Sequence, residues 1–266
     1  MSPAMAFLWR DFRIAWSYRA SFLFQAGSLV FSLVSLRFVA DLFGQASPHG
    51  LAEYGGDYFS FVSLGMGLSL LAYPVTKSFA QGVRAAQVTG TFEAMLTTRT
   101  SPVAVVFYSG LYPILVACVE LAAMWGIAAF ALGAEFHIAD LPLVLLVLAL
   151  TLAILAGIGL CSAAFAIAFK QNEPLTNAFL AGSILLSGIM YPTSVLPGWL
   201  ERIAFLLPLT HAVELTRALF IEGASTSSVG VHFAALAGFA VLLPVGFLVL
   251  QHSITWARRS GSLSQY

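Results

Sequence analysis

Residues 142–169 read PLVLLVLALTLAILAGIGLCSAAFAIAF, with no charged side chain from end to end. A helix needs only about 20 apolar residues to cross the hydrocarbon core of a bilayer, so this stretch suffices alone. Working outward, 21–41, 58–80, 102–132 and 229–252 pass the same test, and 175–191 is a shorter sixth run followed by turn chemistry. The composition agrees. The chain is 59% hydrophobic and 9% charged, whereas soluble domains carry about 25% charged residues. The expectation is one all-α domain over 1–266, a polytopic membrane protein of six transmembrane helices. With 12 basic and 12 acidic residues, no charge excess supports a nucleic-acid partner. Cys118 and Cys161 sit inside apolar runs and read as small packing residues. Arg10, Asp11, Arg13 and Arg19 precede the first span, which is long enough to cross, so the N-terminus is expected to be retained rather than cleaved as a signal peptide.

Charge then orients the spans. Cytoplasmic ends of membrane helices carry the excess of Lys and Arg. With both termini in the cytoplasm, six spans place Arg10, Arg13, Arg19, Lys77, Arg84, Arg99, Lys170, Arg258 and Arg259 inside. Arg37, Arg202 and Arg217 fall at the other side. So do Asp41, Glu53, Asp57, Glu135, Asp140, Glu201, Glu214 and Glu222.

Three segments do not read as spans. In 5–17, within an interfacial region 3–19, Met5, Leu8, Trp9, Phe12 and Trp16 share one narrow helical face, with Arg10, Asp11, Arg13 and Ser17 away from it. Trp on one side and Arg on the other suits a helix lying in the membrane interface, either as an anchor or as a contact for a cytoplasmic partner. In the cytoplasmic region 84–100, Thr91 is placed to cap a short helix with Glu93 at its positive end. Phe92, Met95 and Leu96 form its apolar face, and Ser101-Pro102 opens the next span. A connecting loop and a docking element both fit that segment. Over 192–223 the pattern breaks at Pro192, Pro197, Gly198, Pro208 and Gly223. It turns helical again from Leu209, with Ala212, Leu215, Thr216 and Leu219 on one face and Glu214 and Arg217, at i and i+3, on the other. Irregular backbone at membrane depth survives only inside protein or beside water. Two short elements dipping into the outer leaflet fit this, as does an external hairpin lying flat.

Two stretches, GTFEAMLTTRTSP at 90–102 and YPTSVLPGWLERIAFLLPLTHAVELTRALFIEG at 191–223, resemble the permease subunits of type 2 ATP-binding-cassette exporters. The order of elements is similar along essentially the whole chain. The resemblance implies a homodimer, or a pair with a sister permease, seated on two copies of an ATPase subunit that binds ATP and Mg. It implies ATPase coupling through Arg10, Phe12 and Arg13 of the first helix and through Thr91, Phe92, Glu93, Met95 and Leu96. It also implies an outer gate around Tyr191, Pro192, Pro197, Trp199, Pro208, His211, Glu214 and Arg217. The expected product is export of a lipophilic, drug-like or glycoconjugate substrate across a bacterial inner membrane. A phosphate-binding loop needs Gly-Lys-Ser/Thr, and the two lysines follow Thr76 and Phe169. ATP hydrolysis is therefore expected on a partner, and this chain is not read as an enzyme. An ATP-independent channel or secondary transporter is the rival, and a membrane-embedded enzyme a weaker one.

Within the spans, Glu120 in LVACVELAAMW costs about 2.5 kcal/mol or more to insert ionised. It should face protein or cavity, as a pathway or interface residue or as a packed neutral one. Arg37 and Asp41 can pair at i, i+4, and snorkelling explains Arg37 equally. His49, His137, His211, His232 and His252 have no ligand spacing, so no metal site is expected. Gly157 and Gly159, and Gly182, Ser183 and Gly188, read as close-packing positions. Phe59, Phe61, Tyr73 and Phe79 are read as belt or packing residues, with a pathway lining as the other option.

Overall fold

The computed structural model describes residues 2–43, 57–91, 100–137, 140–169, 173–221 and 226–259. Regular structure among them is helical throughout: α1 (Pro3–Ser17), α2 (Arg19–Phe43), α3 (Tyr58–Val88), α4 (Pro102–Ala131), α5 (Leu141–Phe169) and α6 (Glu173–Leu186). A single 3-10 turn follows at Thr193–Val195, then α7 (Gly198–Phe205), α8 (Pro208–Phe220), α9 (Thr226–Phe239) and α10 (Leu242–Arg259). Five helical stretches among the described residues are long and apolar enough to cross a membrane: Arg19–Leu42, Tyr58–Val88, Pro102–Ala131, Leu141–Phe169 and Val229–Arg259. The last joins α9 to α10 across a break. Pro244, near the start of α10, has no N–H for the carbonyl four residues back, and its ring crowds that carbonyl.

The run expected as a sixth span does not form a helix of membrane length. It makes α6, only 14 residues or about 21 Å long. The chain then turns, and α7 and α8 follow at 88° to each other. The break lies where a third proline, Pro208, opens α8 at its first residue, the position at which proline costs a helix least.

Helix ends are set by local chemistry. The Asp57 carboxylate accepts from the Phe59 and Ser60 amides at 3.2 and 2.9 Å, capping α3. Ser101 caps α4 by accepting from the Ala104 amide at 3.2 Å, with Pro102 at the first helical position, as the sequence predicts. Helix α3 does not stop at 80. It continues 31 residues to Val88, about 46 Å, so Arg84 is carried on the end of the span and not on a separate segment. Gly90, at φ +66°, ends it. The Gly90 amide reaches the Gln87 carbonyl and the Thr91 amide the Ala86 carbonyl, the double closure that needs a left-handed residue after the cap.

Lipid tails are as apolar as leucine, so these helices gain from close contact and polar links rather than from leaving water. Between α5 and α10 the backbones touch: a Cβ on Gly157 would lie 2.4 Å from the Leu242 carbonyl carbon and oxygen. Gly159 meets Phe79 and the Thr76 carbonyl of α3 in the same manner. Gly182 departs from the packing expectation, with nothing within 4 Å of it. Gly188 serves a left-handed turn at φ +74°. Phe59, Phe61 and Phe79 are fully buried and pack the core, while Tyr73 is exposed.

Candidate functional site

At one end of the bundle α1 lies against α4, with Phe7 6.1 Å from Tyr108 between ring centres. Its aromatic stripe is continuous: Trp9, Phe12 and Trp16 stack at 5.8 and 5.9 Å. The arginines fold back over it, Arg13 over Trp9 at 5.1 Å and Arg19 over Trp16 at 5.4 Å. Such a helix suits the boundary between lipid and water, because each cation rests on a ring face while its head stays wet. Helix α1, the end of α3 and the start of α4 enclose a pocket of about 440 Å³, to which Arg10, Asp11, Gln81, Thr89, Thr91 and Ser109 contribute polar groups. Arg10 Nε donates to Asp11 at 2.7 Å on its rim. Thr91 is tied to the helix end through Thr89 Oγ1 at 2.9 Å.

The structure thus brings Arg10 and Thr91, 81 positions apart in the chain, to one pocket. Phe12 turns the other way and lines a second groove with α2 and α4. Phe92, Glu93, Met95 and Leu96 lie outside the described residues.

At the other end, α8 is not the two-faced helix expected from Glu214 and Arg217. All its residues are buried except Pro208, Glu214 and Ala218, because α3, α5, α6, α7 and α9 pack around it. Arg217 is 0% exposed. Its Nη2 donates to the Ile189 carbonyl at 3.0 Å and to the Phe61 carbonyl at 3.3 Å, and Nε also reaches Phe61 at 3.3 Å. The guanidinium stacks 3.4 Å from the Phe61 ring centre and approaches Glu214 at 3.7 Å. The planar fork of arginine suits this work, since it can hold two carbonyls from separate segments at once.

The rest of the predicted outer group divides. The Tyr191 hydroxyl donates to the Leu185 carbonyl, pinning the turn after α6, while the Tyr58 hydroxyl donates to the neighbouring Met190 carbonyl at 3.2 Å. Pro192 precedes the 3-10 turn and Pro197 the first residue of α7. Trp199 stands 64% exposed on α7. His211 points inward. Its Nε2–H donates to the Phe205 carbonyl at 2.8 Å, and its Nδ1 lies 2.9 Å from Nδ1 of His232 on α9. A carbonyl only accepts, so in neutral His211 the Nδ1 is the acceptor and His232 the donor. No spacing rule finds this pair, because the two rings come from different helices. Among the described residues, no group of three or more His, Cys, Asp or Glu could hold a metal ion.

Arg37 and Asp41 pair at 3.2 Å as their spacing predicts. Glu120 sits on the wall of the second groove and makes no hydrogen bond or ion pair with another described residue.

A helical bundle with membrane-length spans, an amphipathic first helix and a buried broken pair before the last span is the architecture of a polytopic membrane protein. The chain belongs to the ABC-2 type transporter family, whose model matches residues 4–221. Among curated relatives, Nodulation protein J of Sinorhizobium fredii (strain NBRC 101917 / NGR234) is 33% identical over 129 residues, 46% of this chain and 49% of that protein. Nodulation protein J of Rhizobium meliloti (strain 1021) is 28% identical over 96 residues, 36% of each. The match thus spans about half the length of the first and about a third of the second.

Proposed function

We propose that this chain is the membrane-spanning subunit of an exporter powered by a separate ATPase, moving a lipophilic, drug-like or glycoconjugate substrate outward across a bacterial inner membrane. Two copies of the chain sit on two ATPase subunits, which carry the ATP and Mg. Both chain termini are cytoplasmic. The observation that supports this reading best is the pocket shared by Arg10 and Thr91. It gathers the first helix, the end of α3 and the start of α4 around one mainly apolar pocket, with Arg10, Asp11, Gln81, Thr89 and Thr91 as polar groups along it. A movement of the ATPase pair against that surface would act on α1, α3 and α4 together, and α3 and α8 are packed against each other toward the opposite end.

Reconstitution tests it. The chain alone in liposomes should move no fluorescent lipid, hydrophobic dye or lipid-linked glycan. Adding its partner ATPase subunit should give ATP-dependent movement of at least one of them. Arg10→Glu, Phe92→Asp and Glu93→Arg should each lower ATP-driven transport about tenfold or more, the equivalent of ~1.4 kcal/mol of coupling, without loss of folded protein. Transport by the chain alone would favour the channel or secondary-transporter reading. Unchanged ATPase association and transport in all three variants would refute the coupling surface.

A further inference from the structure

The second groove lies open between α1, α2 and α4 and has a volume of about 490 Å³. Its walls are mostly apolar and aromatic, with Trp9, Phe12, Phe22 and Tyr112 among them, and among the described residues no basic side chain lines it. One carboxylate, Glu120, does, and it has no hydrogen-bond or ion partner among the described residues. An ionised group inside a membrane protein faces a cavity or pairs with an opposite charge, and Glu120 faces this groove with no cation beside it among the described residues. Aromatic faces attract cations through their ring quadrupoles, and rings combined with a carboxylate form the chemistry that recognises organic ammonium and related ions. A single carboxylate balances a single positive charge. The apolar walls demand a hydrophobic body, and the groove's position between spans and interfacial helix gives it access from the bilayer.

We infer that this groove is a binding site for a hydrophobic monovalent organic cation, with Glu120 as its counter-charge and Trp9, Phe12 and Phe22 as its aromatic walls. The site stands whether or not the bound cation is exported, so its test needs no ATPase.

The full chain in phosphatidylcholine nanodiscs is equilibrated with tetraphenylphosphonium, and empty nanodiscs supply the background. Tetraphenylborate, the same shape with opposite charge, serves as the control. The expected result is saturable binding of one tetraphenylphosphonium per chain and none of tetraphenylborate. Glu120→Gln keeps the shape and removes the charge, and should weaken binding at least about tenfold, as loss of one close charge contact in a partly screened site implies. Ala123→Trp fills the groove and should abolish binding; if it does not fold, the Glu120→Gln comparison decides. Three results would overturn the inference. They are no saturable cation binding to folded protein, equal affinity in Glu120→Gln, and disulfide formation between copies through Val119→Cys, which would mean that a second chain covers the groove.

Discussion

Replacing Arg217 by methionine is expected to cost about 3–5 kcal/mol of stability, the usual range when one member of a buried charge pair is removed. The guanidinium is fully buried and bonds the carbonyls of Phe61 and Ile189. It therefore links the start of α3, the turn after α6 and α8. Methionine fills much of the space but donates nothing, and the half-buried Glu214 carboxylate loses the charge 3.7 Å away. Arg217→Lys should recover only part of the loss, because an ammonium cannot present the same planar fork. The informative variant is the double one. If Glu214→Gln is added to Arg217→Met, the carboxylate that faced the guanidinium is neutralised too, and the double variant should be more stable than the sum of the single losses predicts. Thermal unfolding in detergent, followed by tryptophan fluorescence, compares wild type, Arg217→Met, Arg217→Lys, Glu214→Gln and the double variant. Strict additivity, or a near-neutral Arg217→Met, would remove the staple from the account.

The second large effect is steric. Gly157→Val would drive a branched side chain into the backbone of Leu242 and Leu243, whose atoms stand 2.4–2.6 Å from the ideal Cβ position. A side chain could swing away, but a helix backbone cannot. On the facing helix Gly246 is equally tight, its own Cβ position lying 2.5 Å from the Gly157 carbonyl oxygen. Overpacking typically costs ~1–3 kcal/mol and more when backbones must part; this site belongs at or above the top of that range. Gly126→Val is the matched control, since nothing lies within 4 Å there. The folded fraction recovered after detergent extraction should collapse for Gly157→Val and stay near wild type for Gly126→Val. Equal recovery would mean that α5 and α10 do not touch as described.

What the sequence makes legible follows from how local each determinant is. Five spans are written in runs of apolar residues, and composition alone reveals them. The amphipathic first helix is written in its period, and Ser101-Pro102 marks the start of α4 to the residue. The end of α3 is harder. Apolar character fades after residue 80, yet hydrogen bonding carries the helix on to Val88, and only the left-handed Gly90 stops it. The broken region misleads in a different way. Glu214 and Arg217 at i, i+3 look like a solvated pair, but five other helices surround α8, and the arginine pays for its burial by holding two carbonyls of the chain. Carbonyl partners have no sequence signature. The same holds for His211 and His232, which meet only because α8 and α9 pack together, and for Arg10 and Thr91, whose convergence depends on how far α3 extends.

Sidedness tests the account most directly, because coupling at one end and closure at the other require the two ends to face opposite compartments. Single cysteines at Arg10 and Thr91, and separately at Trp199 and Arg202, in a chain with Cys118 and Cys161 replaced by alanine, can be labelled with a membrane-impermeant maleimide. In intact cells with a permeable outer layer, the account predicts labelling at 199 and 202 and protection at 10 and 91, with all four reacting once the membrane is opened. Labelling of positions 91 and 199 from the same side would contradict it.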